Sequence, residues 1–509
     1  MIATNEEMRR MDQRMAEEAH VSVRQLMMQA AKALLERLRA LYSDSCRYGI
    51  FCGSGNNGGD GFALALLLKD LQLPFVICAA DGKRSPAAAY YAEQLQREGT
   101  NIYDLTAAEE VIGACDVIID ALFGTGLNRE LSGIYAQVVS QINRSKKTIV
   151  AVDIPSGMDG NAALNSEVCV CADRTITFEC LKKGMLSFEQ RKKCGKIDVV
   201  SIGILPQYRQ CSDPTLVLTK DHVRTMLPRR YVHSHKGTYG KVLIVGGSRH
   251  MSGAVVLCAR ALLRSGAGMV TCMIPQCIHE IVASQLQEAM FKPISDDGTQ
   301  MVITGFAEIS ELETYDLIVA GNGMGRGPNT LRIVERILQS SVPCILDGDA
   351  LYEAGKKHLF PAQRSSAVIV TPHLKELEYL TSIPLQQLQA APWTGARRLL
   401  SQYPYLCVVA KDDLTWIFYQ EKQALNIIGN NGLAKGGSGD VLCGMTAGLF
   451  AQSKDPFSAA CAAVYAHASC ADLLIQRMDP MGMLPSDLIE QLPGVYAMLR
   501  KNKWEQQSL

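Results

Sequence analysis

Arg47-Tyr48-Gly49-Ile50-Phe51-Cys52 runs without a break into Gly53-Ser54-Gly55-Asn56-Asn57-Gly58-Gly59-Asp60-Gly61, and that into an apolar stretch over residues 62–71. A short apolar strand, a glycine-dense turn and a helix in this order form the phosphate-facing corner of a doubly wound parallel sheet. Gly53, Gly55 and Gly58 also satisfy G-x-G-x-x-G, and Asp81 follows the next strand at residues 74–80, as in a hydride-transferring dinucleotide site. Asn56, Asn57 and Asp60 bring more side-chain function than a pyrophosphate turn needs, so the corner reads as binding without redox chemistry. Paired amides suit a ribose, an amide or a weakly held monovalent cation.

Upstream, residues 4–41 carry helical periodicity in Met8, Met11, Met15, Leu26, Met27, Ala30, Leu34 and Leu38. A methionine stripe of this kind is core or a subunit contact, and a homo-oligomer is expected from it. Downstream, a strand over residues 116–123 meets Gly124-Thr125-Gly126-Leu127-Asn128-Arg129-Glu130, and one over residues 148–153 meets Ile154-Pro155-Ser156-Gly157. Ligands of an open parallel sheet sit beyond the carboxyl ends of its strands, which brings Asn56, Asn57, Asp60, Asp120, Gly124, Thr125, Asp153 and Ser156 to one crevice. Closing strands follow over residues 174–184 and 195–204. A polar, proline-bounded segment then places a domain boundary near residue 213, giving domains 1–213 and 214–509.

The second half restarts the same grammar. His235-Lys236-Gly237-Thr238-Tyr239-Gly240 precedes a strand, Lys241–Val245, which meets Gly246-Gly247-Ser248 and a small-residue helix. Further strands end at Gly321-Asn322-Gly323-Met324-Gly325, at Asp347-Gly348-Asp349, at Thr371-Pro372-His373 and at Lys411-Asp412-Asp413-Leu414-Thr415. His373 follows a proline in a loop and reads as ligand-facing. Most telling is Ala434-Lys435-Gly436-Gly437-Ser438-Gly439-Asp440, ahead of an apolar helical run. Glycine amides and a helix N-terminus make an anion cradle, and an aspartate closing it reads as a base facing the hydroxyl that attacks a phosphoryl group.

Composition sets the outer bounds. The 509 residues need two or three domains, and 48% hydrophobic with 20% charged residues describes a globular protein. Lysine plus arginine and aspartate plus glutamate both number 51, so no net field favours nucleic acid or an anionic membrane. The 17 cysteines form no CxxC pair and read as buried thiols in a reducing compartment. An acidic start, wrong for a secretory signal, and the lack of an uncharged bilayer-length apolar stretch place the protein in the cytoplasm. His233 and His235 lack zinc-like partners.

The ordered motifs GSGNNGGDG (from Gly53), DALFGTGL (from Asp120), VDIPSG (from Val152), HKGTYG (from His235), GGS (from Gly246), LDGDAL (from Leu346), TPH (from Thr371) and GLAKGGSGDVL (from Gly432) resemble the bifunctional NAD(P)H-hydrate repair enzymes over nearly the whole chain. The resemblance implies two α/β domains: an N-terminal Rossmann-like three-layer αβα epimerase and a C-terminal ribokinase-like dehydratase. The first would interconvert the C6 epimers of hydrated NADH or NADPH, and the second would use ADP, with Mg2+, to dehydrate the S epimer. By the same resemblance, Asn56, Asn57, Gly58, Gly59, Asp60 and Gly124, Thr125, Gly126, Leu127, Asn128, Arg129, Glu130 would hold the hydrate in the epimerase, with Asp153 its acid/base group. Asn57, Asp120 and Ser156 would bind K+. Ala254, Gly323, His373 and Asp440 would meet the hydrate in the dehydratase. Lys411, Asp412, Asp413, Leu414 and Thr415 with Gly436, Gly437, Ser438 and Gly439 would meet the nucleotide. Asn322 stands where the family commonly has proline.

The chemistry agrees with the bottom-up reading, because hydroxide is a poor leaving group from C6 and phosphate a good one. The alternative is a small-alcohol (vitamin-precursor) kinase of ribokinase-like type with a nucleotide-binding N-terminal module, since the Asp440 loop would look alike in both.

Overall fold

The computed structural model describes residues 1–127, 129–161, 167–307 and 312–501. It divides into two compact units, residues 1–214 and 215–509.

In the first unit seven strands form one parallel sheet, ordered Ile102–Asp104, Phe75–Ala79, Tyr48–Cys52, Val117–Ala121, Thr148–Val152, Arg174–Phe178, Lys196–Val200. Strand side chains alternate between faces, so Ile50 and Ile119 enter one apolar core while Phe51 and Ile118 enter another on the opposite face. Helices cover both faces, which is the Rossmann-like three-layer arrangement expected from the sequence.

The periodic segment 4–41 is two helices, Asn5–Glu17 and Val23–Leu41, each opened by a capping box, Thr4 with Glu7 and Ser22 with Gln25. Met8, Met11 and Met15 are buried in the unit's core, so the stripe offers no subunit surface.

The helix after the glycine turn begins at Asn56, earlier than residue 62, and spans Asn56–Asp70. Gly58, Gly59 and Gly61 are therefore helical, and they are glycines because neighbours approach closely. A Cβ on Gly58 would lie 1.9 Å from Gly53 O, and one on Gly59 would lie 2.4 Å from Met27 Cε. Gly53 is tighter, with Leu122 O only 1.7 Å from a built Cβ. Gly53→Ala must displace backbone and should cost roughly 1–3 kcal/mol or more, read as a lowered thermal unfolding midpoint.

The second unit holds a ten-stranded sheet. Its order is Leu216–Val217, Lys422–Asn426, Thr415–Tyr419, Leu406–Ala410, Val368–Val370, Cys344–Leu346, Leu317–Ala320, Lys241–Val245, Met269–Pro275, Met290–Ile294. Only Thr415–Tyr419 runs antiparallel to its neighbours. The helix Ser438–Ser453 packs on Ser252–Arg264 through glycine: a Cβ on Gly444 would meet Cys258 O at 2.1 Å. Helix Pro456–Leu474 is long and apolar enough to cross a bilayer, but 78% of that window is buried inside the protein, and its Asp472 accepts a hydrogen bond from Asn430 Nδ2 at 3.0 Å. It is a core helix.

Candidate active sites

At the carboxyl ends of the first sheet lies a cavity of about 580 Å³. Asn56, Asn57, Asp60, Gly124, Thr125, Gly126, Leu127, Arg129 and Asp153 line it. Gly58 and Gly59 do not: they sit inside the helix, spaced for packing, and the Gly59 amide is bonded to Gly55 O. Glu130 lies exposed outside the lining, and Asn128 falls outside the described residues.

Asp153 is a non-glycine residue in the left-handed region, at φ 65°. Such backbone strain persists where the surroundings over-determine it. Lys182, fully buried, donates to Asp153 Oδ1, as do Thr177 Oγ1 at 3.2 Å and the Phe178 amide at 3.1 Å. Lys182 is held in turn by Thr177 Oγ1 at 3.0 Å and Phe178 O at 2.9 Å. Beneath the cavity Asp120 is fully buried, accepting from Ser156 Oγ at 2.6 Å and from the Ser156 amide at 2.8 Å. Burial pushes its carboxyl up to about 6, against the pull of those hydrogen bonds. Asn57 Nδ2 is buried without a hydrogen-bond partner among the described residues.

The helices Asn5–Glu17 and Val23–Leu41 supply the rest of the wall, including Met8, Arg9, Asp12 and Met27. Sequence reading missed Asp12 and Lys182. Lys182 lay in a segment read only as a closing strand, and Asp12 interrupts a methionine stripe on its helix.

In the second unit the polar groups again gather at strand ends. Lys411 Nζ meets Asp347 Oδ1 at 3.1 Å, and Thr371 Oγ1 donates to the same oxygen at 2.6 Å. Burial lowers the Lys411 ammonium, but Asp347 and Glu376 outweigh it and leave the pKa raised. The glycine loop reaches this pair: a Cβ on Gly439 would lie 3.4 Å from Lys411 Nζ. Gly437 caps the following helix at φ 97°, and Ser438 Oγ is buried without a partner among the described residues. Gly321, at φ 118°, could carry no side chain, since its Cβ would fall 1.7 Å from Asp347 O.

Asp440 lies in the first turn of the helix, and Asn322 Nδ2 donates to its Oδ1 at 2.7 Å. Burial raises the Asp440 carboxyl to about 6, the Asn322 hydrogen bond opposing and Asp347 adding to the rise. Gly323 and Ala254 are neighbours, with a Cβ on Gly323 only 3.0 Å from Ala254 Cβ.

His373 has a structural duty that sequence reading did not foresee. Its Nδ1 accepts from the amides of Lys375 at 3.1 Å and Glu376 at 3.2 Å, capping the helix Leu374–Thr381. Burial, and then the Lys411 charge, lower its pKa. Its backbone pairs with Lys411, so it still stands at the site's edge. Leu414 points into the core, Asp413 Oδ1 accepts from the Leu414 amide at 3.0 Å, and Thr415 opens a strand, so the 411–415 segment brings mainly Lys411 to the cluster. Asp347, Thr371 and Asn322 are the residues the sequence placed at strand ends without a role.

Comparison with known proteins covers both units. A family model described as NAD(P)H-hydrate dehydratase matches residues 242–494, and one described as YjeF-related protein N-terminus matches residues 23–184. The bifunctional NAD(P)H-hydrate repair enzyme of Vibrio cholerae is 33% identical over 492 residues, covering 96% of this chain and 97% of that protein. That of Moorella thermoacetica is 31% identical over 466 residues, covering 89% and 88%. A crystal structure of ADP/ATP-dependent NAD(P)H-hydrate dehydratase from Bacillus subtilis, co-crystallized with ATP/Mg2+, is 32% identical at a TM-score of 0.51, covering 56% of this chain and 99% of that one. A ribokinase-like superfamily protein from Enterococcus faecalis matches at a TM-score of 0.51 and 25% identity. With full-length relatives on both halves, the chain belongs to the bifunctional NAD(P)H-hydrate repair enzyme family.

Proposed function

We propose that the first unit interconverts the C6 epimers of hydrated NADH and NADPH, and that the second dehydrates the S epimer at the expense of ADP, giving AMP and phosphate. The observation that carries this is one chain holding two separate strand-end sites, each with a half-buried aspartate fixed by its own partners, whose relatives match both halves at once.

In the dehydratase Asp440 takes the proton of the C6 hydroxyl as that oxygen attacks the β-phosphoryl of ADP, and AMP leaves. Lys411 and the amides of Gly436, Gly437, Ser438 and Gly439 hold the transferring charge. Phosphate then departs from C6 with the ring nitrogen pushing, and C5 loses a proton to restore the double bond. Ala254, Gly323 and His373 border the hydrate, while Lys411 is what the 411–415 segment brings to the nucleotide side. The Asp347 and Glu376 carboxyls flank Lys411 and would be the acidic groups available to hold a phosphate-borne Mg2+, which would neutralise charge on the transferring phosphoryl group.

In the epimerase Asp153 is the acid/base group of the inversion at C6, and Asn56, Asn57, Asp60, Gly124, Thr125, Gly126, Leu127 and Arg129 enclose the hydrate. Asn57, Asp120 and Ser156 suit K+: a buried carboxylate with no basic partner among the described residues lies beside neutral oxygens, Ser156 Oγ being 3.2 Å from Phe123 O. Such a donor set favours a hard, weakly charged cation, which would tie the loop after Val117–Ala121 to that after Thr148–Val152. A cytoplasmic location is part of this reading.

Supplying the S epimer with ADP should release NADH and AMP in equal amounts, and phosphorylated hydrate accumulating without NADH would instead favour a kinase. Because Asp440 must be ionised to act as base, the dehydration rate should climb as pH rises through about 6. Asn322→Ala removes a hydrogen bond that lowers the Asp440 pKa, so the acid limb of the pH–rate profile should move to higher pH. An unmoved limb would show that Asn322 does not tune the base.

A further inference from the structure

C6 of the hydrate inverts when its hydroxyl leaves one face of the ring and water adds to the other, the route that the oxygen-18 label below distinguishes from opening and reclosing of the ring. Each event needs a proton transfer, and one carboxylate fixed in place reaches one face. Asp153 is fixed: all hydrogen bonds the structure gives its side chain fall on Oδ1, from Lys182, Thr177 and Phe178. On this route a second proton-transfer group serves the opposite face, and the cavity contains the candidates Asp12 and Asp60.

We infer that Asp12, on the helix Asn5–Glu17, is the second acid/base residue of the epimerisation, sharing the cavity with Asp153. The inference rests on the epimerase reading above and names a residue that reading does not use. The solvent face of the helix is carried by Glu6, Arg10, Gln13 and Glu17, all exposed, whereas Asp12 lies on the inward side with Met8, Met11 and Met15. An aspartate there serves no packing purpose. Nor does it serve a polar one, for among the described residues it makes no hydrogen bond or ion pair, whereas Glu7 on the same helix accepts from the Thr4 amide at 2.8 Å and the Ser212 amide at 2.7 Å. A half-buried carboxylate left unpartnered beside other acids lowers stability and is retained where it works on a ligand.

The charged groups around Asp12 are Asp153, Asp60, Lys182 and, on the cavity wall, Arg9. Burial, then the Asp153 charge, raise Asp12 to about 6 against the pull of Lys182, where it can both give and take a proton near neutrality. Burial, then the Asp153 and Asp12 charges, push the Asp60 carboxyl well above the usual carboxylate range against the pull of Lys182.

The ring-nitrogen lone pair expels the C6 hydroxyl, Asp12 gives its proton to the departing oxygen, and water leaves a planar iminium carbon. A water molecule adds to the opposite face, the iminium electrons return to nitrogen, and the proton of that water passes to Asp153. The reverse inversion uses the two carboxyls in the opposite order.

The test uses the full-length enzyme, one purified epimer of hydrated NADH, no ADP, and water labelled with oxygen-18. Wild-type enzyme should place one labelled oxygen at C6 per inversion. Asp12→Asn should lower kcat for inversion by roughly 10²–10⁴-fold, with KM and the thermal midpoint little changed, and Asp12→Glu should restore part of the rate. An Asp12→Asn rate within about threefold of wild type, a loss confined to KM or matched by a fallen thermal midpoint, or inversion without label would each overturn the inference. A wild-type enzyme that inverts neither epimer would overturn the epimerase reading itself, an outcome distinct from these.

Discussion

Asp440→Asn should lower the dehydration rate by roughly 10²–10⁴-fold, or about 3–5 kcal/mol of barrier, and leave inversion of the C6 epimers at the wild-type rate. The carboxylate is the group in the glycine loop able to take the hydroxyl proton, and asparagine keeps its size while losing that capacity. The loop should survive the change, because its shape comes from Gly437 and from the helix start at Ser438 rather than from Asp440. KM for ADP should therefore move little, since Lys411 and the loop amides are untouched. Measuring dehydration of the S epimer and inversion separately in one preparation checks both halves, and a variant that loses both activities together would contradict separate sites.

The second large effect is at Asp153. Asp153→Asn should abolish inversion to a comparable degree and spare dehydration, but it should also destabilise the first unit. Lys182 is fully buried, and removing its counter-charge leaves an ammonium with only Thr177 Oγ1 and Phe178 O. Breaking a buried pair from one side typically costs about 3–5 kcal/mol. Adding Lys182→Met should recover much of the thermal midpoint without recovering inversion, because it removes the orphaned charge and not the missing proton acceptor. If the double variant regains inversion, Asp153 is a structural anchor and not an acid/base group.

The frame of both units is legible in the sequence wherever an apolar run ends in glycine or aspartate, as at Cys52-Gly53, Val152-Asp153 and Leu346-Asp347. Parallel central strands buried on both faces produce such runs. The short strands Ile102–Asp104 and Leu216–Val217 leave too little pattern to read. The site was harder to read from sequence, for three physical reasons. A glycine selected for close approach looks the same as one selected for an anion, which is why Gly58 and Gly59 appear to belong to the wall when they belong to the helix packing. A histidine after a proline looks ligand-facing whether or not its ring is capping a helix, as that of His373 does. Partnership across the sheet carries no local signal: nothing around Asn322 announces its bond to Asp440, nor anything around Lys182 its bond to Asp153.

The central claim is that one chain carries two consecutive activities. Its most direct test is to give the wild-type enzyme a mixture of R- and S-hydrated NADH with excess ADP and follow the return of NADH absorbance alongside AMP. All of the hydrate should return to NADH, one AMP per NADH, including the R fraction. Recovery that stops at the S fraction would contradict an active first unit, and no recovery with ADP or ATP would contradict the account as a whole.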